Sequence, residues 1–244
     1  MAKPRPLFAR SAGILLHPTC LPGPDGIGDL GEGAFRFVDW LERTGQSIWQ
    51  ILPLGPTGYG DSPYQTLSAL AGNPLLISLD YLVRDGWLEG ADLEDRPDFP
   101  EDHVDFGPVI NWKMSRLEIA WSGFLRRASS TAWSRFQSWC QDNAAWLDDF
   151  ALFMALKQEQ NGKSWIEWPP ELAGRDPVAL AEAAKRLEKQ IDGVRFVQWL
   201  FFNQWQQLRA FASARGIRLI GDVPIFVAFD GCDVWANRQY FRLD

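Results

Sequence analysis

The 244-residue chain is 46% hydrophobic and 23% charged, which suits a globular domain with enough chain for a sizeable core. A net charge of −7, with no segment dense in Lys or Arg, argues against nucleic acid or an anionic membrane surface as partner, since both need clustered basic charge. Three cysteines at unrelated spacings (Cys20, Cys140, Cys232) fit neither a disulfide framework nor a zinc motif. No apolar run is long enough for a signal-peptide core or a membrane span, so a cytoplasmic location is expected.

The first predicted element is a short buried strand over residues 13–17, GILLH, ending in a loop rich in Gly, Pro and Asp. Residues 34–44 then carry Ala34, Phe37, Val38 and Leu41 at helical spacing, with Gly45 as a stop. Residues 47–53, SIWQILP, read as a second buried strand. Strand, helix, strand in so short a stretch is a βαβ unit, which makes the two strands parallel.

From about residue 81 to 193 strand signals cease and helical periodicity takes over. Residues 111–128 place Met114, Leu117, Trp121, Phe124 and Leu125 on one face. Asp142 is expected to cap a helix that buries Trp146, Leu147, Phe150 and Met154, and Asp176-Pro177 to start another. Ten of the thirteen tryptophans lie between Trp87 and Trp205, so this insertion is expected to have an aromatic core of its own. A long amphipathic helix over 193–215 ends at Gly216, and residues 217–223, IRLIGDV, give a third buried strand.

The order is β, α, β, helical insertion, α, β, which favours a parallel sheet with helices outside it. The expected units are 1–80, 81–193 and 194–244. An open doubly wound sheet and a closed barrel both begin this way, and periodicity does not separate them.

Chemistry in parallel α/β folds sits beyond the C-terminal ends of the strands. Three loops qualify. The first runs from His17 to Asp29, the second from Leu54 to Gln65 (LGPTGYGDSPYQ), and the third is Asp222-Val-Pro-Ile-Phe. In the second, Gly58, Gly60 and Pro63 hold Tyr59, Ser62 and Tyr64 in set positions. A structural turn with one buried tyrosine explains that loop about as well as a binding site does.

Asp222 ends an apolar strand, where capping a loop and binding a ligand are equally good readings. His17 holds the matching place on strand one and reads more readily as a hydrogen-bonded structural residue, as does His103. Glycoside chemistry needs two carboxyl groups flanking one bond. Asp29, Asp61 and Asp222 are the acids near strand ends, and their spacing singles out no pair. The residues alone give a parallel α/β domain with a polar small-molecule site.

The stretch IWQILPLGPTGYGDSPYQTLSALAGNPLLISLD resembles the signature of amylomaltases, the 4-α-glucanotransferases of glycoside hydrolase family 77. The opening AGILLHPTCLPGPDGIGDLGEGAFRFVDWL, Val104-Asp105-Phe106 with Lys113, FFNQWQQLRAFASARGIRLIGDVPIFV, and Asp233-Val-Trp235-Ala resemble it too, in the expected order. The resemblance implies a (β/α)8 TIM-type barrel, of which the first three strands are present with a helical insertion after strand two. It implies transfer of α-1,4-glucan segments between maltodextrins, or to glucose, by a retaining double displacement without metal or organic cofactor.

By motif, Tyr64 corresponds to the aromatic platform beside the scissile-bond sugar and Asp222 to an aspartate that bonds sugar hydroxyls. Ser62 falls within reach of the donor glucan, and Tyr59 corresponds to a glucan contact away from the reaction centre. Phe106 stands where relatives often carry Tyr, so a ring remains for stacking but brings no hydroxyl. The family's nucleophilic Asp, acid/base Glu and third Asp follow strands four, five and seven, beyond GDVPIF and DVWA. No catalytic residue is therefore expected among these 244. The chain reads as an N-terminal portion that binds donor glucan, awaiting a C-terminal segment. The alternatives are a non-catalytic glucan-binding module and half of a split enzyme.

Overall fold

The computed structural model describes residues 10–243. In chain order the elements are β1 (Gly13–Leu15), α1 (Glu32–Arg43), β2 (Ile48–Gln50), α2 (Leu79–Arg84), α3 (Phe106–Arg127), α4 (Ser130–Asp142) and α5 (Ala144–Glu159). After these come α6 (Pro170–Ala173), α7 (Pro177–Arg186), α8 (Glu188–Ala214), β3 (Arg218–Ile220) and α9 (Cys232–Ala236).

The strands form one parallel sheet in the order β1-β2-β3, as the βαβ pattern predicts. Each is shorter than its apolar run. The ladder extends only where both neighbours supply backbone groups, and the last rungs are Leu16 N to Gln50 O (3.0 Å) and Ile51 N to Ile220 O (2.9 Å). Register aligns Ile14, Trp49 and Leu219 across the sheet, and these three pack on the main hydrophobic core. The next row, Leu15, Gln50 and Ile220, points to the opposite face and is exposed, Leu15 by 55% and Ile220 by 45%. One side of the sheet is therefore covered by helices and the other is bare.

That main core joins the sheet, α1, α2, α3, α4 and the C-terminal part of α8. Its aromatic centre is Phe124, whose ring lies 4.9 Å from those of Phe196 and Trp133. The insertion's rings thus share a core with α8. A second core, with Phe153, Trp165, Trp168 and Trp235, joins α5, α6, α7, α9 and the start of α8.

Two helix readings need correction. On α3, Leu117 and Phe124 are buried, but Met114 and Leu125 are exposed. The buried stripe runs instead through Val109, Trp112, Lys113, Leu117 and Ala120. Asp142 closes α4, and Asn143 takes the capping position before α5. The single-residue junction leaves no room for a separate cap at 142. On α5, Leu147 and Phe150 are buried as expected, while Trp146 and Met154 are half-buried. The start of α7 follows expectation: Asp176 accepts hydrogen bonds from Val178 N and Ala179 N, both at 3.0 Å. Gly45 and Gly216 end α1 and α8 in the left-handed conformation.

Two glutamines on α8 hold the segment that leads from the second loop into α2. Gln198 accepts from Gly72 N (2.8 Å) and donates to Gly72 O (2.9 Å). Gln204 does the same with Ser78 N and O (2.8 and 3.1 Å). All four residues are buried, so each amide side chain replaces a missing strand neighbour for the N–H and C=O of one residue.

Candidate functional site

Because the strands are parallel, the three loops following them emerge at one edge of the sheet. They are tied to one another. His17 joins the first two: its Nε2 lies 3.3 Å from Pro53 O, and its Nδ1 lies 2.7 Å from Thr19 Oγ1. A carbonyl oxygen only accepts, so the ring carries its proton on Nε2. Burial holds the His17 pKa below its ordinary value, opposed by the Pro53 hydrogen bond, which keeps the ring neutral. This is the structural role the sequence favoured.

The second and third loops meet through Tyr64 and Asp222. The Tyr64 hydroxyl donates to Asp222 Oδ2 at 2.7 Å, and Asp222 Oδ1 accepts from Val223 N at 2.8 Å. The hydrogen bond to Asp222 is the first reason the Tyr64 pKa lies above the usual tyrosine value. Both side chains are exposed, and the carboxylate is held at the loop surface by a donor on each oxygen. Ser62 stands beside the pair and its Oγ accepts from Tyr64 N at 3.3 Å.

The second loop is itself braced. Gly58 N donates to Gln65 O and Leu67 N to Pro56 O, closing a hairpin-like turn around an isolated Thr57–Thr66 bridge. At its tip Asp61 takes a left-handed φ of 53°, a strained conformation for a residue with a side chain. The base of the loop docks on α9. Asp233 Oδ2 accepts from Ala69 N (2.8 Å), Ser68 Oγ donates to Asp233 Oδ1 (3.4 Å), and Cys232 N donates to Leu67 O (2.8 Å).

The first loop is fastened from below. Lys113, fully buried on α3, lies 3.5 Å from Asp29 Oδ2 and 3.6 Å from Asp25 Oδ2. Asp25 Oδ1 pairs with Arg96 Nε and accepts from Trp112 Nε1, both at 3.0 Å, and Asp29 Oδ1 accepts from Gly31 N at 2.8 Å. Burial raises the Asp29 pKa in spite of Lys113 and the Gly31 amide. Asp29 is thus a buried loop anchor with no access to a ligand. Asp222 alone of the three acids singled out near strand ends is both exposed and held in place at this edge.

Phe106 opens α3 and packs against Ile27, Leu75 and Val109. Among the described residues no hydrogen bond or ring contact joins it to Tyr64 or Asp222. Tyr59 contributes backbone to the turn Tyr59–Asp61, and its side chain lies outside the described residues. His103 is exposed and pairs with Asp102 at 2.8 Å. Beyond Asp222 the third loop exposes Val223, Ile225 (89%) and Phe226 (84%), an apolar margin to the polar pair. Among the described residues there is no group of three or more metal-ligating side chains, and no helix is long and apolar enough to cross a membrane.

An exposed aromatic ring beside a pinned carboxylate and a hydroxyl suits a hydroxylated ligand with an apolar face. Residues 16–244 match the family described as 4-alpha-glucanotransferase, glycoside hydrolase family 77. The chain belongs to this 4-α-glucanotransferase family.

A 4-alpha-glucanotransferase of Synechocystis is 47% identical over 98% of this chain, and one of Thermus thermophilus is 49% identical over 96%. The amylomaltase of Streptococcus agalactiae, solved in complex with acarbose, superposes with a TM-score of 0.92 at 37% identity over 97% of this chain. The chain spans about half the length of the 4-α-glucanotransferases it matches, 47%, 46% and 48% respectively. The resemblance to an N-terminal part of the family therefore holds. The residues that sequence reasoning missed are supports: Gln198, Gln204, Asp25 and Thr66, whose Oγ1 lies 2.8 Å from Ser68 O. Their signal was a polar side chain within an otherwise apolar helical face or tight turn.

Proposed function

We propose that the protein to which this chain contributes transfers α-1,4-glucan segments between maltodextrins, or to glucose, by a retaining double displacement. In this reading the sheet is the first part of a (β/α)8 barrel with a helical insertion, and units 1–80, 81–193 and 194–244 follow one another along it. The chain supplies donor-glucan binding through Tyr64, Asp222 and Ser62, with Tyr59 and Phe106 contacting glucan farther out. The bond-breaking carboxylates come from the half of the family's length that these residues do not span. The reaction needs no cofactor, and its place is the cytoplasm.

The observation that carries this reading is the Tyr64–Asp222 hydrogen bond at 2.7 Å, which fixes an aromatic face and a charged acceptor at the C-terminal edge of the sheet. The test is disproportionation of maltotriose by the complete protein, with glucose and longer maltodextrins as products. Asp222→Asn is expected to lower kcat/KM at least about tenfold, the loss of a hydrogen bond to a charged group. An unchanged value would remove Asp222 from the site. Residues 1–244 alone are expected to give no turnover, and turnover by them would overturn the assignment of the carboxylates.

A further inference from the structure

We propose that Asp233 is a positioning residue for the Tyr64–Asp222 pair: by gripping the base of the second loop it holds Tyr64 within reach of Asp222. The second and third loops meet twice. At the tips, the Tyr64 hydroxyl donates to Asp222 Oδ2 at 2.7 Å. At the bases, Asp233 Oδ2 accepts from Ala69 N and Leu67 O accepts from Cys232 N, both at 2.8 Å. Residues 64–69 and 222–233 therefore close a ring, and the joint at the base limits how far the joint at the tip can open.

The helix that carries Asp233 is fixed from behind. Cys232, Val234 and Trp235 set α9 into the second core, and Trp235 Nε1 donates to Leu172 O at 3.0 Å. An acid in the first turn of a helix ordinarily serves that helix's own amides. Asp233 instead turns both oxygens to the second loop, Oδ2 to Ala69 N and Oδ1 to the Ser68 hydroxyl at 3.4 Å.

The stretch between this joint and Tyr64 is stiff. Thr66 and Ser68 are buried, Thr66 Oγ1 lies 3.0 Å from Pro56 O and 2.8 Å from Ser68 O, and Gln65 O accepts from Gly58 N. A fastening remote from the pair would add only stability, whereas these braced residues run straight into the one that carries the hydroxyl. The joint is also close-packed. A Cβ on Gly231 would lie 2.9 Å from Ala228 O and 3.1 Å from Leu67 O, so a side chain there would push the two loops apart. Gly231 has a φ of −114°, open to any residue, so space and not conformation calls for glycine. That the pair so positioned meets a glucan rests on the reading given under Proposed function.

The test follows the Tyr64 titration in the complete protein by tyrosinate absorbance, against a Tyr64→Phe control. Asp233→Ala is expected to move it to lower pH, in the direction of Asp222→Asn, and to lower kcat/KM on maltotriose. Gly231→Ala leaves Asp233 in place but wedges the joint, and should move the titration the same way. Asp233→Asn removes the same charge yet keeps an acceptor for Ala69 N, and should retain the parent titration. Leu187→Ala opens the same core between α7 and α8, away from the joint, and should lower stability without moving the titration.

An Asp233→Ala titration that matches the parent overturns the proposal, and where that variant fails to fold Gly231→Ala decides by the same measure. A shift in Asp233→Asn or Leu187→Ala as large as that in Asp233→Ala also overturns it, by showing an effect of charge or of general loosening. So does a parent titration equal to that of Asp222→Asn, since no joined pair would exist to position. Titrations as expected, with turnover unchanged in both Asp222→Asn and Asp233→Ala, would uphold the positioning and count against the glucan reading of the pair alone.

Discussion

At the scale of single residues, the pair that matters most lies 158 positions apart in sequence and meets through one proton. Asp222 accepts from the Tyr64 hydroxyl and so holds the phenol's pKa above its ordinary value. Because the folded value is the higher one, the contribution of this bond is complete below the ordinary tyrosine range, about pH 10. It is lost as pH climbs through the raised value. Asp222→Asn should bring the Tyr64 titration, followed by tyrosinate absorbance against a Tyr64→Phe control, to lower pH. An unmoved titration would mean that the two side chains do not meet in solution.

Asp29 has a raised pKa for a different reason, burial. Its sign is the same. The protonated form is favoured by folding, so this group's contribution is present in acid and lost as pH rises through the folded value. Relative to Asp29→Asn, the parent protein should therefore lose stability on going from acid toward neutral pH, measured by urea unfolding at each pH. A difference independent of pH would show that Lys113 compensates the carboxylate fully.

At the scale of elements, α8 is both core and clamp. Gln204→Ala would leave the buried N–H and C=O of Ser78 without partners, at a cost of about 1–3 kcal/mol in urea unfolding. A loss within error would mean that water replaces the amide. This clamp also marks where sequence reasoning stops. The strands, α1, α7 and the end of α8 were legible because apolar runs, caps and glycine stops act locally.

On α3, Met114 and Leu125 look as apolar as Leu117, and only the positions of α8, α2 and the Pro74–Leu76 turn decide which stripe is covered. The second loop was legible as a family motif, whereas its brace by Asp233 and the joining of Tyr64 to Asp222 are long-range facts with no periodic signature. Phe106 illustrates the reverse case: its motif was plain, and its packing on Ile27 and Leu75 was not.

At the scale of the whole molecule, the bare side of the sheet dominates. Leu15 and Ile220 are exposed on it, and β1 and β3 each present an unpaired edge among the described residues. Burying one such side chain is worth about 1.5–3 kcal/mol, enough to drive association of these residues when nothing else covers them. Residues 1–244 alone should elute larger than a monomer on size exclusion. Leu15→Lys/Ile220→Lys should weaken that association more than about tenfold. A parent chain that elutes as a monomer at high concentration would show that the face is tolerated in water.

The paired glutamines of α8 also constrain how this region can change length. Each residue of an α-helix advances the chain by about 100° around its axis, so one residue inserted between positions 198 and 204 swings one glutamine away from its backbone partner while the other stays. Insertions and deletions are thus barred from this helical segment by geometry, and length variation is left to the connections on either side. An alignment of relatives that opened a gap inside this segment would be misplaced by that measure, whatever its score.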